Sequence, residues 1–444
     1  MKKCYLIFIA AFLLSPFAYA QNATDTAFHI EKFPEDGLVL DHNWTFYPKD
    51  DFNNAKPGYN AGPGITVNPA LQLNQLPVVE RSGIGWFRLT MQVDSSLRNK
   101  TIGMMLSLFG AAEIYLNGEK IYQFGEVSSN YKQEKTQAIF GRALSITLGN
   151  EEKQVLAVRY SHHPDNLYIK TGVGPRCLQI IFQSLNETID RYAILVKRAY
   201  QFIGIALTIE LASALLTLFF FFSFRSRKEY LYFGLYFCFN FFGVLALSDL
   251  AGVGKDVQLS ANHFAFIQMM LYLFLITGSL FHLNAMYALL QKKKTRYYRF
   301  LFWYAIVAIV TLPFLPGWGS GFPDLFFPLV CFEMLPTYYK AARRNFRGAW
   351  ILFISILICF LFLLALVKGN SGTDSGAVIV LSAFALLSPA LGIVIFLAVD
   401  FARTSLSLKL RVVQVEALSQ KTLAQERDKQ EILAAQKDKL EVEV

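Results

Sequence analysis

From about residue 199 the chain runs through seven apolar stretches, 199–224, 229–250, 262–290, 300–316, 322–340, 349–368 and 377–402. Most are near or above the ~20 residues an α-helix needs to cross a bilayer core. Hydrocarbon offers no water to pair backbone N–H and C=O groups, so stretches of this kind are expected to be helical. The fourth is the weakest, because Pro313 and Pro316 break its end, and the fifth is the most polar, holding Asp324, Glu333 and prolines.

The turns between these stretches carry charge in alternation. The first has Arg225, Arg227 and Lys228; the third has Lys292, Lys293, Lys294, Arg296 and Arg299; the fifth has Lys340, Arg343, Arg344 and Arg347. The intervening turns offer little beyond Lys255 and Lys368. Basic residues collect on the cytoplasmic side of membrane proteins. Seven crossings with the N-terminus outside and the C-terminus inside follow as the expected topology, in a bacterial inner membrane. Residues 1–20 agree with it: Lys2 and Lys3, an apolar run from Tyr5 to Leu14, then Ala18-Tyr19-Ala20. That order predicts a secretory signal cleaved after Ala20.

The chain is 54% apolar and 17% charged, which excludes a disordered protein and makes an ordinary cytosolic enzyme a poor fit. Its net charge of +9 is concentrated in residues 191–403, with 18 basic against 8 acidic side chains. The surplus therefore speaks for membrane orientation, and no soluble basic face for nucleic acid is expected.

Residues 21–190 read as an all-β periplasmic domain, with strands expected at 38–47, 84–93, 101–109, 112–117, 139–148, 154–161 and 177–183. Asn117-Gly118 lies between Ile114-Tyr115-Leu116 and Lys120-Ile121-Tyr122, the signature of a type I′ hairpin. Short strands separated by Gly, Pro and Asn loops point to an antiparallel sandwich of jelly-roll type. Cys177 stands alone in this domain, so no disulfide framework is expected. Residues 404–444 lack Pro and Gly and carry 14 charges in 41 residues. They should extend the last span as a cytoplasmic helix, and a partial heptad seam (Leu406, Leu410, Val413, Ala417, Gln420, Ala424) points to a homodimeric coiled coil.

No nucleotide loop, zinc-protease or dinucleotide motif occurs, so no cofactor is expected, and the adjacent His162 and His163 should face apart rather than share a metal. Trp44, Trp86, Arg88, Tyr115, Asn117 and Arg142 fall on or beside expected strands. They form the candidate ligand set, because sugar-like ligands take an aromatic platform flanked by hydrogen-bonding groups. In the apolar region, Glu210 and Glu333 lie about eleven residues into their spans, and Asn240, Gln268, His282 and Asn284 add polar groups. A carboxylate at membrane depth is costly unless protonated, paired or hydrated, which makes each a functional candidate beside the plainer role of joining helices.

The order of signal peptide, β-sandwich, seven spans and charged helix resembles the bacterial seven-transmembrane receptors with diverse intracellular signalling modules. Gly85-Trp86-Phe87-Arg88, then Ile114-Tyr115-Leu116-Asn117-Gly118 and Gly125, is similar to the extracellular jelly-roll domain of that family, itself like the sugar-binding domain of some glycoside hydrolases. The resemblance implies a ligand-sensing receptor without catalytic activity in this chain. Its output module, a histidine kinase or cyclase for example, is expected beyond Val444 or in a partner. Two rivals stay open at this point. One is a transporter or channel, against which no internal repeat is found. The other is a membrane-tethered carbohydrate-active enzyme, against which no exported carboxylate pair can be assigned.

Overall fold

The computed structural model describes residues 27–443 apart from 61, 72, 164–175, 251–258, 313–320, 345, 347 and 370–374. The expected signal segment lies outside the described residues. The chain divides into two compact units, one built mainly from residues up to 166 and 174–192, the other mainly from 193 onward.

The first unit contains ten strands among its described residues: β1 (Phe28–Ile30), β2 (Leu38–Val39), β3 (Trp44–Tyr47), β4 (Ile65–Val67), β5 (Ile84–Val93), β6 (Thr101–Leu116), β7 (Glu119–Phe124), β8 (Gln137–Thr147), β9 (Lys153–Ser161) and β10 (Leu178–Gln183). A single helical turn and a half, α1 (Pro77–Ser82), precedes β5. Pairing is antiparallel except for β1 on β5.

β6 organises this unit. Two strands were expected at 101–109 and 112–117, yet one sixteen-residue strand runs through both. Its first part pairs with β8 and β10, its second with β9 and β7. The strand changes partners at Gly110, whose φ of +142° only glycine holds comfortably. A side chain there would also strike the Tyr160 ring, 2.6 Å from where its Cβ would stand. Tyr160 Oη donates to the carbonyl of Phe109 at 2.5 Å and so fixes the bend. The expected strand at 38–47 is likewise divided, into β2 and β3, by Asn43 at φ +62°. The hairpin at Asn117-Gly118 forms as expected, both residues having positive φ (51° and 92°).

Alternation decides which residues reach the core. Phe87, Leu89 and Met91 of β5 point inward and are fully buried. Phe87 meets Phe46 at 4.9 Å and Tyr160 at 5.5 Å between ring centres.

Helix α2 (Leu185–Ser223) begins in the first unit. The second is helical: the rest of α2, then α3 (Lys228–Leu250), α4 (Ala261–Leu289), α5 (Arg296–Thr311), α6 (Gly321–Arg343), α7 (Ala349–Gly369) and α8 (Ser375–Glu443). Each of the seven expected apolar stretches is thus helical over most of its described residues; the fourth is so as far as Thr311. Four helical segments are long and apolar enough to cross a membrane by length and composition: 185–223, 228–249, 261–289 and 384–433. The described apolar part of α7, Ala349–Ala365, is shorter, α5 has only 16 residues, and α6 carries Asp324, Glu333, Pro328 and Pro336. α3 packs along α4, α6 along α5 and α7, and α7 along α8. Phe233, Phe237, Leu283, Met286, Leu301 and Phe326 centre the shared core. Side-chain caps set two starts: Ser260 Oγ accepts from His263 N–H, and Thr295 Oγ1 from Tyr298 N–H.

Candidate functional site

In the β unit, strand alternation gathers part of the expected ligand set on one face. Trp86 and Arg88 of β5, Glu113 and Tyr115 of β6, and Ala157 and Arg159 of β9 share it, since Trp86 pairs with Arg159, Arg88 with Ala157, and Glu113 with Arg159. The segment 50–57 lies over this face. Arg88 holds it by donating to the carbonyls of Asn54 and Lys56 (3.3 and 3.2 Å), and burial pulls the Arg88 guanidinium below its ordinary pKa.

Arg159 is the centre of the face. Its Nε and Nη2 grip the two oxygens of Asp50 at 2.7 and 2.6 Å, and its Nη1 donates to Glu113 Oε2 at 3.2 Å. Tyr115 Oη donates to the same Glu113 oxygen at 2.8 Å, and Trp86 Nε1 to Asp50 Oδ1 at 3.2 Å. The Arg159 guanidinium sits 4.6 Å from the centre of the Phe52 ring, an added cation–π contact. The hydrogen bonds to Asp50 are the main reason its pKa is raised, whereas burial, with Glu113 second, pushes the Tyr115 phenol well above its usual value. Two carboxylates already neutralise Arg159, so this cluster is a clasp closing segment 50–57 over the sheet.

The other expected residues separate. Trp44 is fully buried on the opposite, core side, its Nε1 donating to Leu40 O at 2.8 Å. Asn117 is a turn residue whose Oδ1 accepts from Val155 N–H at 2.8 Å. Arg142, on β8, lies apart, 5.9 Å from the Phe124 ring. The two histidines diverge: His162 faces Glu80 O at 3.1 Å, and His163 faces Ser128 O at 3.1 Å. Among the described residues no group of three or more His, Cys, Asp or Glu side chains is arranged to hold a metal. Burial raises the Cys177 thiol to about 12, which leaves it unreactive.

In the helical unit, Glu210 of α2 is fully buried, and neither carboxylate oxygen makes a hydrogen bond among the described residues. Asn240 and Tyr236 of α3 face it. A Cβ at Gly278 of α4 would come 2.8 Å from Asn240 Oδ1, so that glycine leaves room for the amide. One turn on, the His282 ring packs 4.7 Å from Tyr236 and 6.0 Å from Phe233, with its Nε2 unbonded. Tyr338 Oη and Ser388 Oγ are further buried polar atoms without a partner among the described residues. Among the described residues four helices, α2, α4, α6 and α8, therefore turn unsatisfied polar atoms inward.

Glu333 lies midway along α6 and, unlike Glu210, has hydrogen-bond partners. It accepts from Tyr287 Oη and, at 2.9 Å, from Thr295 Oγ1, the N-cap of α5. It therefore lies level with the turn between α4 and α5. Asn284 accepts there from Tyr298 Oη at 3.0 Å, and Lys294 stands over the Tyr298 ring. Gln268 is neighbour to Tyr272, whose hydroxyl donates to Asp324 Oδ1 at 2.8 Å.

A site that sequence reasoning did not assemble joins the α2–α3 turn to α8. Arg227 donates to Glu229 at 2.6 Å and to Asp400 Oδ2 at 3.4 Å, and Tyr230 Oη reaches the same oxygen at 3.5 Å. Phe220 stacks on Phe401 at 5.2 Å. Asp400 was visible as the one acid closing the last apolar stretch, but nothing local names its partner.

No family model and no curated protein matches this chain. Two solved structures of a β-glucosidase from Kluyveromyces marxianus, one selenomethionine-labelled and one in complex with glucose, align over 36% of it at 17% and 16% identity. Their TM-scores are 0.19 and 0.18, and the aligned part spans 18% and 17% of those chains. A likeness that distant carries no argument about this protein.

Proposed function

We propose that this protein is a transmembrane signalling receptor of the bacterial inner membrane. In this reading the β unit is a periplasmic jelly-roll sensor for a small polar ligand, with carbohydrate the first class to test. The seven helices form a membrane bundle, and the end of α8 is a cytoplasmic arm that dimerises and acts on an output module. The chain itself is a relay without catalytic activity.

One observation carries this reading. α8 is a single helix of 69 residues. Up to Leu397 it packs into the helical unit, while the described apolar side chains from Phe401 to Leu433 stand in solvent: Leu406, Leu410 and Val413 are 62%, 58% and 58% exposed. An apolar row left open on a charged helix calls for a partner. A second copy suits it, because residues 404–444 carry seven acidic and seven basic side chains and two such arms do not repel. A continuous helix also passes rotation or sliding from the packed part to the free part. Such a relay requires that the ligand bind two packing states unequally.

The test is topological and structural together. Alkaline phosphatase fused after residue 190 should be active and a fluorescent protein fused after residue 440 should glow. Cysteine at Leu410 should form an interchain disulfide in membranes more readily than cysteine at Lys409. Head and tail in one compartment, or equal cross-linking at both positions, would falsify the receptor model.

A further inference from the structure

The turn between α4 and α5 meets the end of α6 and the start of α7 through apolar contacts: Leu290 packs against the cluster of Ala341, Ala342 and Ala349. That contact crowds cations. Lys292 faces Arg344 and Lys340, and Arg343 adjoins them on the same helix end. After partial burial, repulsion from Arg344 and Lys340 is what holds the Lys292 ammonium below the ordinary lysine range. Among the described residues, none of Lys292, Lys340, Arg343 and Arg344 takes part in an ion pair. Glu333 is the one acid that acts on Lys292, and its attraction is weaker than the repulsion from Arg344 and Lys340. Four cations with a single acid near them repel one another in the empty protein, and an anion seated among them makes the arrangement favourable.

Beside the cations lies an open aromatic group. Tyr339 and Trp350 are 44% and 47% exposed, 6.0 Å apart, and Trp350 meets Phe353 at 5.7 Å. Exposed Trp and Tyr next to basic residues at a helix end are the side chains that settle at lipid headgroup level. A soluble phosphate would need the cations alone; the aromatic rim adds a surface suited to the glycerol and upper acyl region of a lipid.

We propose that Lys292, Lys340, Arg343 and Arg344, rimmed by Tyr339 and Trp350, form a binding site for the phosphate headgroup of an acidic phospholipid. The inference rests on the membrane-spanning reading above and adds to it a specific lipid. The site also abuts the Glu333 network, so an occupied headgroup would bear on the packing of α4, α5 and α6.

The experiment is native mass spectrometry of the full chain in detergent, titrated with dioleoyl-phosphatidylglycerol or dioleoyl-phosphatidylcholine. The wild type should retain the acidic lipid at least about fivefold better, since each cation near a phosphate contributes a several-fold factor. The triple variant Lys292→Gln/Lys340→Gln/Arg344→Gln should lose that preference, Lys292→Arg/Lys340→Arg should keep it, and Lys409→Gln/Arg411→Gln on α8 should leave it unchanged. Should the triple variant fold poorly, Lys292→Gln and Arg344→Gln singly should each reduce retention severalfold. Equal retention of both lipids by the wild type, or an undiminished preference in the Gln variants, overturns the site. Displacement of the lipid by millimolar inorganic phosphate would assign the cluster to a soluble anion and overturn it too. Alkaline extraction of membranes separates the two claims: a chain that stays in the pellet without lipid preference refutes this site alone, whereas a chain released to the supernatant refutes the spanning reading as well.

Discussion

Arg227 reaches Asp400 across 3.4 Å, tying the α2–α3 turn to the point where α8 leaves the packed helices. Both side chains are about a third exposed, at 36% and 30%, so the pair is worth less than about 1 kcal/mol in stability. That is small for folding yet enough to bias two helix positions by a few fold. Asp400→Asn is therefore expected to leave yield and melting unchanged while altering the disulfide rate at Leu410→Cys by about two- to fivefold. Arg227→Gln should move it in the same direction. An unchanged rate in both variants would remove this joint from the proposed relay.

The β unit should weaken in mild acid through His162. Its Nε2 faces the carbonyl of Glu80, which can only accept, so Nε2 carries the proton and Nδ1 is left buried and unbonded. Burial is the main reason its pKa falls from 6.5 to about 4. The unfolded chain then takes up a proton at higher pH than the folded one. Stability is intact above pH 6.5 and declines as pH drops toward about 4, by at most about 3 kcal/mol. Denaturant midpoints followed by tryptophan fluorescence from pH 7.5 to 4.5 should show the decline. His162→Gln should flatten that part of the profile.

Removing Arg159 takes the cation from between Asp50 and Glu113, leaving Glu113 only the longer contact with Lys120 at 3.7 Å. Breaking a fully buried pair costs about 3–5 kcal/mol, and here partial exposure of Asp50 reduces that to about 2–3 kcal/mol for Arg159→Met. Arg159→Lys should recover only a small part, because an ammonium cannot reproduce the two parallel bonds to Asp50. Chemical denaturation of the full chain, monitored at Trp86, measures both. A lysine variant as stable as the wild type would mean that the fork geometry is irrelevant.

What could be read from residue order was whatever depends on near neighbours. The Asn117-Gly118 turn, the bounds of β5 and the placement of helices on apolar stretches all follow from local chemistry. The clasp did not, since Asp50 and Arg159 are 109 positions apart and neither has a local signature. Trp44 and Trp86 looked alike in sequence, yet they face opposite sides of the sheet, which only the pairing register decides. The continuity of β6 was hidden by Gly110, which reads as a break and acts as a bend. Residue counting puts Glu333 midway along its stretch, but its partners Tyr287 and Thr295, 46 and 38 positions away, have no local signature.

Glu210 offers the sharpest division between holding the helices together and moving them. Its side chain is enclosed by α2 and α3, with Asn240 and Tyr236 the polar groups that face it. Glu210→Gln keeps the shape and a hydrogen-bonding carbonyl without any possible charge. It is expected to assemble at wild-type yield and to melt within a few degrees of it. Glu210→Lys places an ammonium among the same apolar walls, where an intramembrane charge costs at least about 2.5–3.5 kcal/mol, and should fail to assemble. Between these two, the disulfide rate at Leu410→Cys reports on coupling. If Glu210→Gln folds normally but shifts that rate by more than about threefold, the carboxyl group sets the helix packing that α8 transmits; an unchanged rate reduces it to a filler between α2 and α3.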